Sequence, residues 1–404
     1  MRNIESVAVA SLGALSISVF FSQTAMEVFA LASLLFLLIW RFRKGPAPTH
    51  RVPRFVIIMA AVFLLNLFIN VLVSADKAKG FVYIENYWKF FLSGLLFTAP
   101  ICNKNRMKII AAFLIGAFFS GLWGVFQHYG IFFQMETRAN GNTHSIYYAG
   151  MLAFPCASAI MLLLSRDPFV KSVWGRILAS AAMLISLAGI LFSQSRGVWI
   201  AVFGSWVIMM FFLYGRRKAG GLVLIAVAAI VLMFTFNGAL RRRATSIVTS
   251  IYTENYTGST GNRLQLWKGA LLMYTEHPVL GTGINGWGPA LDRLISEGKV
   301  APVPVRCEAH NMFLQGLATQ GTVGFVILLL FIYVLFKWGM VETRDQGGIG
   351  GHMIIWSTLL VIIGGLTENS IGLSKYLAVY CLTIGLMGGY RPAGTASREK
   401  IDPL

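Results

Sequence analysis

Long apolar runs alternate with short charged or turn-rich segments along the whole chain. A bilayer-spanning helix needs roughly 20 mostly apolar residues. Reading for such runs bounded by charge predicts twelve spans, near 7–22, 25–40, 55–74, 89–102, 109–127, 146–164, 177–193, 198–215, 219–236, 321–338, 353–368 and 374–390. The first follows Arg2 and lacks a small-x-small cleavage site, so it is expected to be a retained helix and not a signal peptide. One long polar stretch, about 237–320, separates the ninth and tenth runs. It is too small for a large core of its own and suits short amphipathic helices capping the membrane part. Within it, NRLQLWKGALLMYT (262–275) sets Leu264, Trp267, Ala270, Leu271 and Tyr274 at helical spacing, and EHPVLGTGINGWG follows as a stop and loop. The expected fold is therefore an all-α polytopic membrane protein with three parts: helices one to nine (1–236), the long loop (237–320), and helices ten to twelve with a tail (321–404).

Composition supports this pattern. Of 404 residues, 56% are hydrophobic and 12% charged, against about 25% charged in soluble domains. That excludes a soluble enzyme, a disordered chain and a small disulfide scaffold. The formal net charge of +18 would suggest nucleic acid in a soluble protein, but here it reports topology. With the N-terminus inside, 20 of the 34 basic residues fall in inside segments, among them Arg41, Arg43, Lys44, Lys104, Arg106, Lys108 and the Arg216–Lys218 cluster. The positive-inside rule then places both termini in the cytoplasm, and the surplus charge faces anionic headgroups. Cys102, Cys156, Cys307 and Cys381 are scattered without a CxxC or Cys/His cluster, which suggests neither disulfides nor a zinc site.

Three segments on the expected outer face carry candidate chemistry. SQSRGVW (193–199) holds Arg196 in a tight turn, GNRLQLWKGA (261–270) holds Arg263 at the start of the loop helix, and EAHNMFLQGLATQGTVG (308–324) holds His310 and Asn311 ahead of span ten. Taken singly, each has an ordinary structural explanation: a snorkelling arginine, a solvated helix residue, a capping histidine. Together, two guanidinium groups and an imidazole on one face suit a phosphorylated lipid. Arginine grips phosphate oxygens through a rigid donor fork, and histidine can take a proton from a hydroxyl near neutral pH. There is no outer-face DxD motif to hold a divalent cation, so no metal or other cofactor is expected.

SQSRG, GNRLQLWKGALLMYTEHPVLGTGINGWG and AHNMFLQGLATQGTVG together resemble the O-antigen ligase and polymerase superfamily: an arginine turn, Arg then Trp in a large loop, Pro-x-x-Gly-x-Gly, and His-Asn before a Gly-rich helix. The resemblance covers about 190–325. It implies a GT-C-like glycosyltransferase of the bacterial inner membrane with a periplasmic site, whose donor is a glycan on undecaprenyl diphosphate. In the ligases the acceptor is a sugar hydroxyl of the lipid A core; in the polymerases it is another lipid-linked repeat unit. By position, Arg196 and Arg263 would bind the diphosphate and stabilise the charge that grows on it. His310 would deprotonate the acceptor, with inversion at the anomeric carbon. Neither metal nor nucleotide is implied.

Further polar residues are candidates for substrate contact. Arg138, Asn142 and His144 lie in the 133–150 loop, with Arg138 a possible third phosphate ligand, and Arg241, Arg242 and Arg243 could attract anionic lipid. Arg306 lines the same stretch as His310. Glu308 lies two residues before His310, a spacing that does not face it on a helix. Asn66 and Asn70, four apart, are expected to make interhelical hydrogen bonds, and Glu368 and Asn369 to sit in interfacial water. Gly281, Gly283 and Gly286 spell GxGxxG, but no strand precedes them, so dinucleotide binding is rejected in favour of a tight loop. His277, beside Pro278, reads as structural. One dominant loop favours ligase over polymerase. A polyprenyl-lipid flippase or transporter would need ionisable residues at the bilayer midplane, and the spans carry few.

Overall fold

The computed structural model describes residues 2–44, 51–74, 76–99, 101–131, 135, 138–165, 168–236, 259–304, 307–346 and 349–390. Among them the chain is helical, with no strand. In chain order the helices are α1 (Arg2–Ser18), α2 (Gln23–Lys44), α3 (Arg54–Val73), α4 (Lys77–Glu85), α5 (Lys89–Thr98), α6 (Asn103–Tyr129), α7 (Ser145–Leu164), α8 (Pro168–Lys171), α9 (Val173–Phe192), α10 (Arg196–Phe236), α11 (Ser259–Glu276), α12 (Trp287–Ser296), α13 (Met312–Gln346), α14 (Ile349–Gly365) and α15 (Ser374–Thr383). Each of the twelve predicted spans overlaps one of these helices, the eighth and ninth sharing α10. Seven helical stretches among the described residues are long and apolar enough to cross a membrane, while Ile4–Ser18 and Ile349–Gly365 are shorter apolar helices. The protein is an all-α, multi-pass membrane protein.

The bundle core is built by α6 and α7 against α9, α3 and α14 against α13, and α1 against α2 and α6. Small residues let the backbones approach. Tyr148 of α7 fills the space that the glycines of α6 and α9 leave, and its hydroxyl donates to Ser120 O at 3.1 Å. Asn66 of α3 makes the interhelical bond expected of the pair, donating to Gln320 of α13 at 2.7 Å, whereas Asn70 bonds within α3, donating to Asn66 Oδ1 at 3.2 Å.

The helix α13 is broken at Gly321, where φ is +63°. An L side chain is strained in this region, and a Cβ there would also lie 2.3 Å from Val279 O. The loop after α11 closes over the break and takes up its orphaned backbone groups. Thr322 N donates to Pro278 O (2.8 Å), Val323 N to Val279 O (3.2 Å), and Thr282 N to Ala318 O (3.0 Å). This satisfies the rule that irregular backbone in a membrane protein must find partners within the protein. It also explains the GxGxxG spelling: Gly281 lies so close to the backbone of Thr319 and Gln320 that no Cβ fits. The break divides α13 into a short Met312–Gln320 arm beside the site and a long span.

The long loop contributes α11, α12 and the Met312–Gln320 arm. Leu266, Ala270 and Met273 of α11 pack with Trp287, Leu291 and Leu294 of α12 into a second small core. The buried stripe of α11 differs from the expected one: Leu271 is 49% exposed, while Gln265, Leu266, Gly269 and Met273 are buried. The reason is Gly269, against which Leu291 packs closely, and Gln265, whose amide oxygen accepts from Ala301 N at 3.0 Å. Tight packing on a glycine and one polar anchor outweigh the apolar count on the opposite face.

Candidate functional site

Segments distant in sequence meet at one end of the bundle: the 138–148 segment into α7, the turn from α9 into α10, the start of α11, residues 307–312, and the end of α14. A single buried carboxylate at the end of α14 ties the start of α11 to residues 307–312. Glu368 accepts from Arg263 Nη2 at 2.5 Å through one oxygen and meets His310 Nδ1 at 2.8 Å through the other. Only 5% of the Glu368 side chain is exposed, with 16% of His310 and 25% of Arg263. Glu368 and Asn369 are therefore buried, not placed in interfacial water. The turn after α14 folds back over the site instead of running out into solvent, with Thr367 N and Glu368 N both bonded to Gly364 O.

His310 sits at φ +48°, one of two non-glycine left-handed residues among the described ones. This conformation costs about 1–2 kcal/mol and persists only where surrounding contacts over-determine it. Here they do. Asn311 Oδ1 caps the helix by accepting from Phe313 N and Leu314 N, each at 3.0 Å, and its Nδ2 donates to Leu366 O at 3.1 Å. Trp267 Nε1 donates to Ala309 O at 3.1 Å. Asn311 thus binds backbone through both atoms of its amide and braces the histidine. The same bend brings Glu308 Oε1 to 3.6 Å from His310 Nδ1. Residues 308–310 are not helical, so the i, i+2 spacing does not keep Glu308 from facing His310.

Charges set the protonation states. The Glu368 hydrogen bond holds the His310 imidazolium favourable, raising its pKa against the opposing effect of burial. Burial raises Glu308 above the ordinary carboxylate range, opposed by the His310 charge. Its partner is the Tyr147 hydroxyl at 3.3 Å. His144, at the cap of α7 with its ring against Tyr147, is pushed down by burial first and by the positive charge of Arg138 second. Its ring neighbour Tyr147 donates to Glu308, so His144 borders the cluster.

Arg196 opens α10. The next residue, Gly197, abuts Thr367, and Val198 lines one crevice with Tyr147, Thr367 and Glu368. Arg138 donates from Nε to Ser193 O at 2.9 Å and from Nη2 to Ser195 Oγ at 3.2 Å, gripping the turn before Arg196. Asn142 lies apart: it is exposed and donates to Phe21 O at 3.3 Å, next to the α1–α2 turn, so it is not brought into the cluster. Arg241, Arg242, Arg243 and Arg306 lie outside the described residues. Glu308, His310 and Glu368 each offer a ligand atom within 4.8 Å of the others. The Arg263 guanidinium already bound to Glu368 sets a positive charge against a cation there. Sequence reasoning passed over Glu368 because an acidic residue at the end of an apolar run looks solvated. The apolar stretch 374–390 that follows was the available signal, since it forces the chain to turn back at the site.

A multi-pass helical membrane protein with an Arg–carboxylate–His cluster at one end of its bundle is the class defined so far. Residues 181–329 match the family model described as O-Antigen ligase. This match spans Arg196, Arg263 and His310, so that part of the chain is similar to the O-antigen ligase family. An uncharacterized protein of Haemophilus influenzae is 23% identical over 281 residues, 67% of either chain.

Proposed function

We propose that this protein is an O-antigen ligase of the bacterial inner membrane, moving a glycan from undecaprenyl diphosphate to a sugar hydroxyl of the lipid A core at the periplasmic face, with both termini in the cytoplasm. The observation that carries the reading is the Glu368 carboxylate shared between Arg263 and His310. An imidazole whose Nδ1 faces a buried carboxylate keeps its proton there and leaves Nε2 to accept another. The acceptor hydroxyl gives its proton to His310 Nε2 as its oxygen attacks the anomeric carbon. The bond from that carbon to the diphosphate oxygen breaks, and the glycan's anomeric centre inverts. Undecaprenyl diphosphate leaves with the bonding pair. Glu368 stabilises the imidazolium that forms. Arg263 and Arg196 meet the charge growing on the leaving diphosphate; a guanidinium has five N–H donors, and Glu368 engages one nitrogen of Arg263.

The test is a purified-protein assay with lipid-linked glycan and lipid A core in detergent, without ATP or added metal. Glycan conjugated to lipid A core supports the reading. Lengthened lipid-linked glycan makes the protein a polymerase of the same superfamily, and lipid movement in vesicles without any product makes it a flippase. Turnover is expected to survive a chelator. Loss restored by a divalent cation would instead place a metal on Glu308, His310 and Glu368.

A further inference from the structure

The turn that presents Arg196 is strained, and a residue far from it in sequence holds it. Gln194 lies at φ +55°, the second non-glycine left-handed residue among the described ones. Arg138 reaches across it: Nε binds Ser193 O on one side and Nη2 binds Ser195 Oγ on the other. Both serines are buried, and Ser193 Oγ accepts from Ser195 N at 3.2 Å, closing the turn on itself. Beside Arg138, Ala139 N donates to Phe192 O at 3.0 Å. The segment is itself clamped from α6. Gln127 Oε1 accepts from Asn140 N (3.2 Å) and Gly141 N (2.9 Å), and its Nε2 donates to Asn140 Oδ1 and Gly141 O, both at 3.0 Å.

We infer that Arg138 is a positioning residue, which fixes the left-handed turn and so aims Arg196 at the anion it binds, with Gln127 as the anchor of the clamp. A left-handed non-glycine residue relaxes when its supports are removed. A planar guanidinium can bind two acceptors that flank one residue, whereas an ammonium is a single point donor. Residues 127–141 precede the stretch matched to the family model, 181–329, so the clamp couples an earlier helix pair to the family's arginine turn. The positioning role is the alternative to the expectation that Arg138 is a third phosphate ligand, and the experiment separates the two.

The experiment has two arms. Only the kinetic arm rests on the transferase reading. In nanodiscs without substrate, hydrogen exchange at the amides of residues 193–198 is compared between wild type, Arg138→Ala, Arg138→Lys and Gln127→Ala. Both Arg138 variants are expected to exchange faster there, as does Gln127→Ala to a smaller extent, with the α6–α9 core unchanged. Wild-type protection in Arg138→Ala and Arg138→Lys overturns the proposal. In the transfer assay, both Arg138 variants are expected to raise the donor KM about tenfold while the acceptor KM holds. Ser195→Ala added to Arg138→Ala should cost little more, because the two residues make one contact. Rescue by lysine, or full additivity with Ser195→Ala, would make Arg138 a direct charge on the substrate and overturn the positioning role. Should transfer be absent in every form, the exchange arm still decides the clamp, and the functional reading fails separately.

Discussion

Two arginines mark opposite ends of the bundle, and their partners differ in kind. Arg106, near the start of α6, is 1% exposed and donates to four backbone carbonyls: Gly385 at 2.9 Å, Leu386 at 3.4 Å, Leu96 at 3.3 Å and Ala99 at 3.2 Å. These carbonyls are orphaned by the end of α5 and by a π-helical turn at Ile384–Gly388. Arg263 instead pairs with a titratable carboxylate that it shares with a histidine. Roughly 30 Å of α6 lies between Arg106 and Gln127, which clamps the site end. A carbonyl cage offers a charge nothing to exchange, so the guanidinium becomes a fixed bolt. A carboxylate occupies the geometry that a phosphate would take, so under the proposed function Arg263 would change partners when a substrate arrives. At the sequence level Arg106 is one of several inside basic residues, whereas Arg263 stands in the GNRLQLWKGA motif on the expected outer face.

The largest expected effect is at His310. His310→Ala should lower transfer by about 10²–10⁴-fold while leaving thermal unfolding and donor binding near wild type. Activity within a few-fold of wild type would dissolve the contrast, because the site end would then be as passive as the Arg106 end.

Next comes Glu368→Gln, which keeps shape and removes charge. A base must be neutral to accept a proton, and Glu368 raises the His310 pKa, so the acid limb of the wild-type rate should lie above the ordinary imidazole value of about 6.5. In Glu368→Gln that limb should move to lower pH while the plateau falls about 10–100-fold. Linkage has the same sign. A raised histidine pKa contributes stability below its unfolded value that is lost as pH rises through the folded one, and the variant should lose this pH dependence. Rate–pH profiles and melting curves measure both. An unmoved acid limb would mean that His310 does not set it.

Hydropathy made the helices legible in the sequence because every span must bury its backbone hydrogen bonds, which leaves a run of apolar residues wherever the chain crosses. The short motifs made Arg196, Arg263 and His310 legible. Glu368 and Arg138 were not, for different reasons. Glu368 is buried by a reversal of the chain after α14, a tertiary event with no local mark. Arg138 has the residue type of a phosphate ligand but is committed to a turn 55 residues away. The rotation of α11 was hidden because a glycine contact, invisible to apolar counting, sets its face. Glu308 was discounted by a helical spacing rule applied to a segment that a left-handed histidine bends.

The smallest expected effect on chemistry, and a large one on folding, is at Arg106. Arg106→Leu removes the donor from four buried carbonyls, and each acceptor left unsatisfied costs about 1–3 kcal/mol. Neighbouring groups can relax toward some of them, so the whole loss should be a few kcal/mol. Because the cage closes the end of the bundle away from the site, detergent-extracted variant should melt earlier and yield less folded protein. Each folded molecule should still transfer glycan at the wild-type rate with wild-type KM values. Arg263→Leu should do the reverse, preserving the melt and losing turnover. Both arginines depressing the rate per folded molecule equally would show that the two ends are coupled through the bundle, and that carbonyl and carboxylate partners do not separate a structural arginine from a working one.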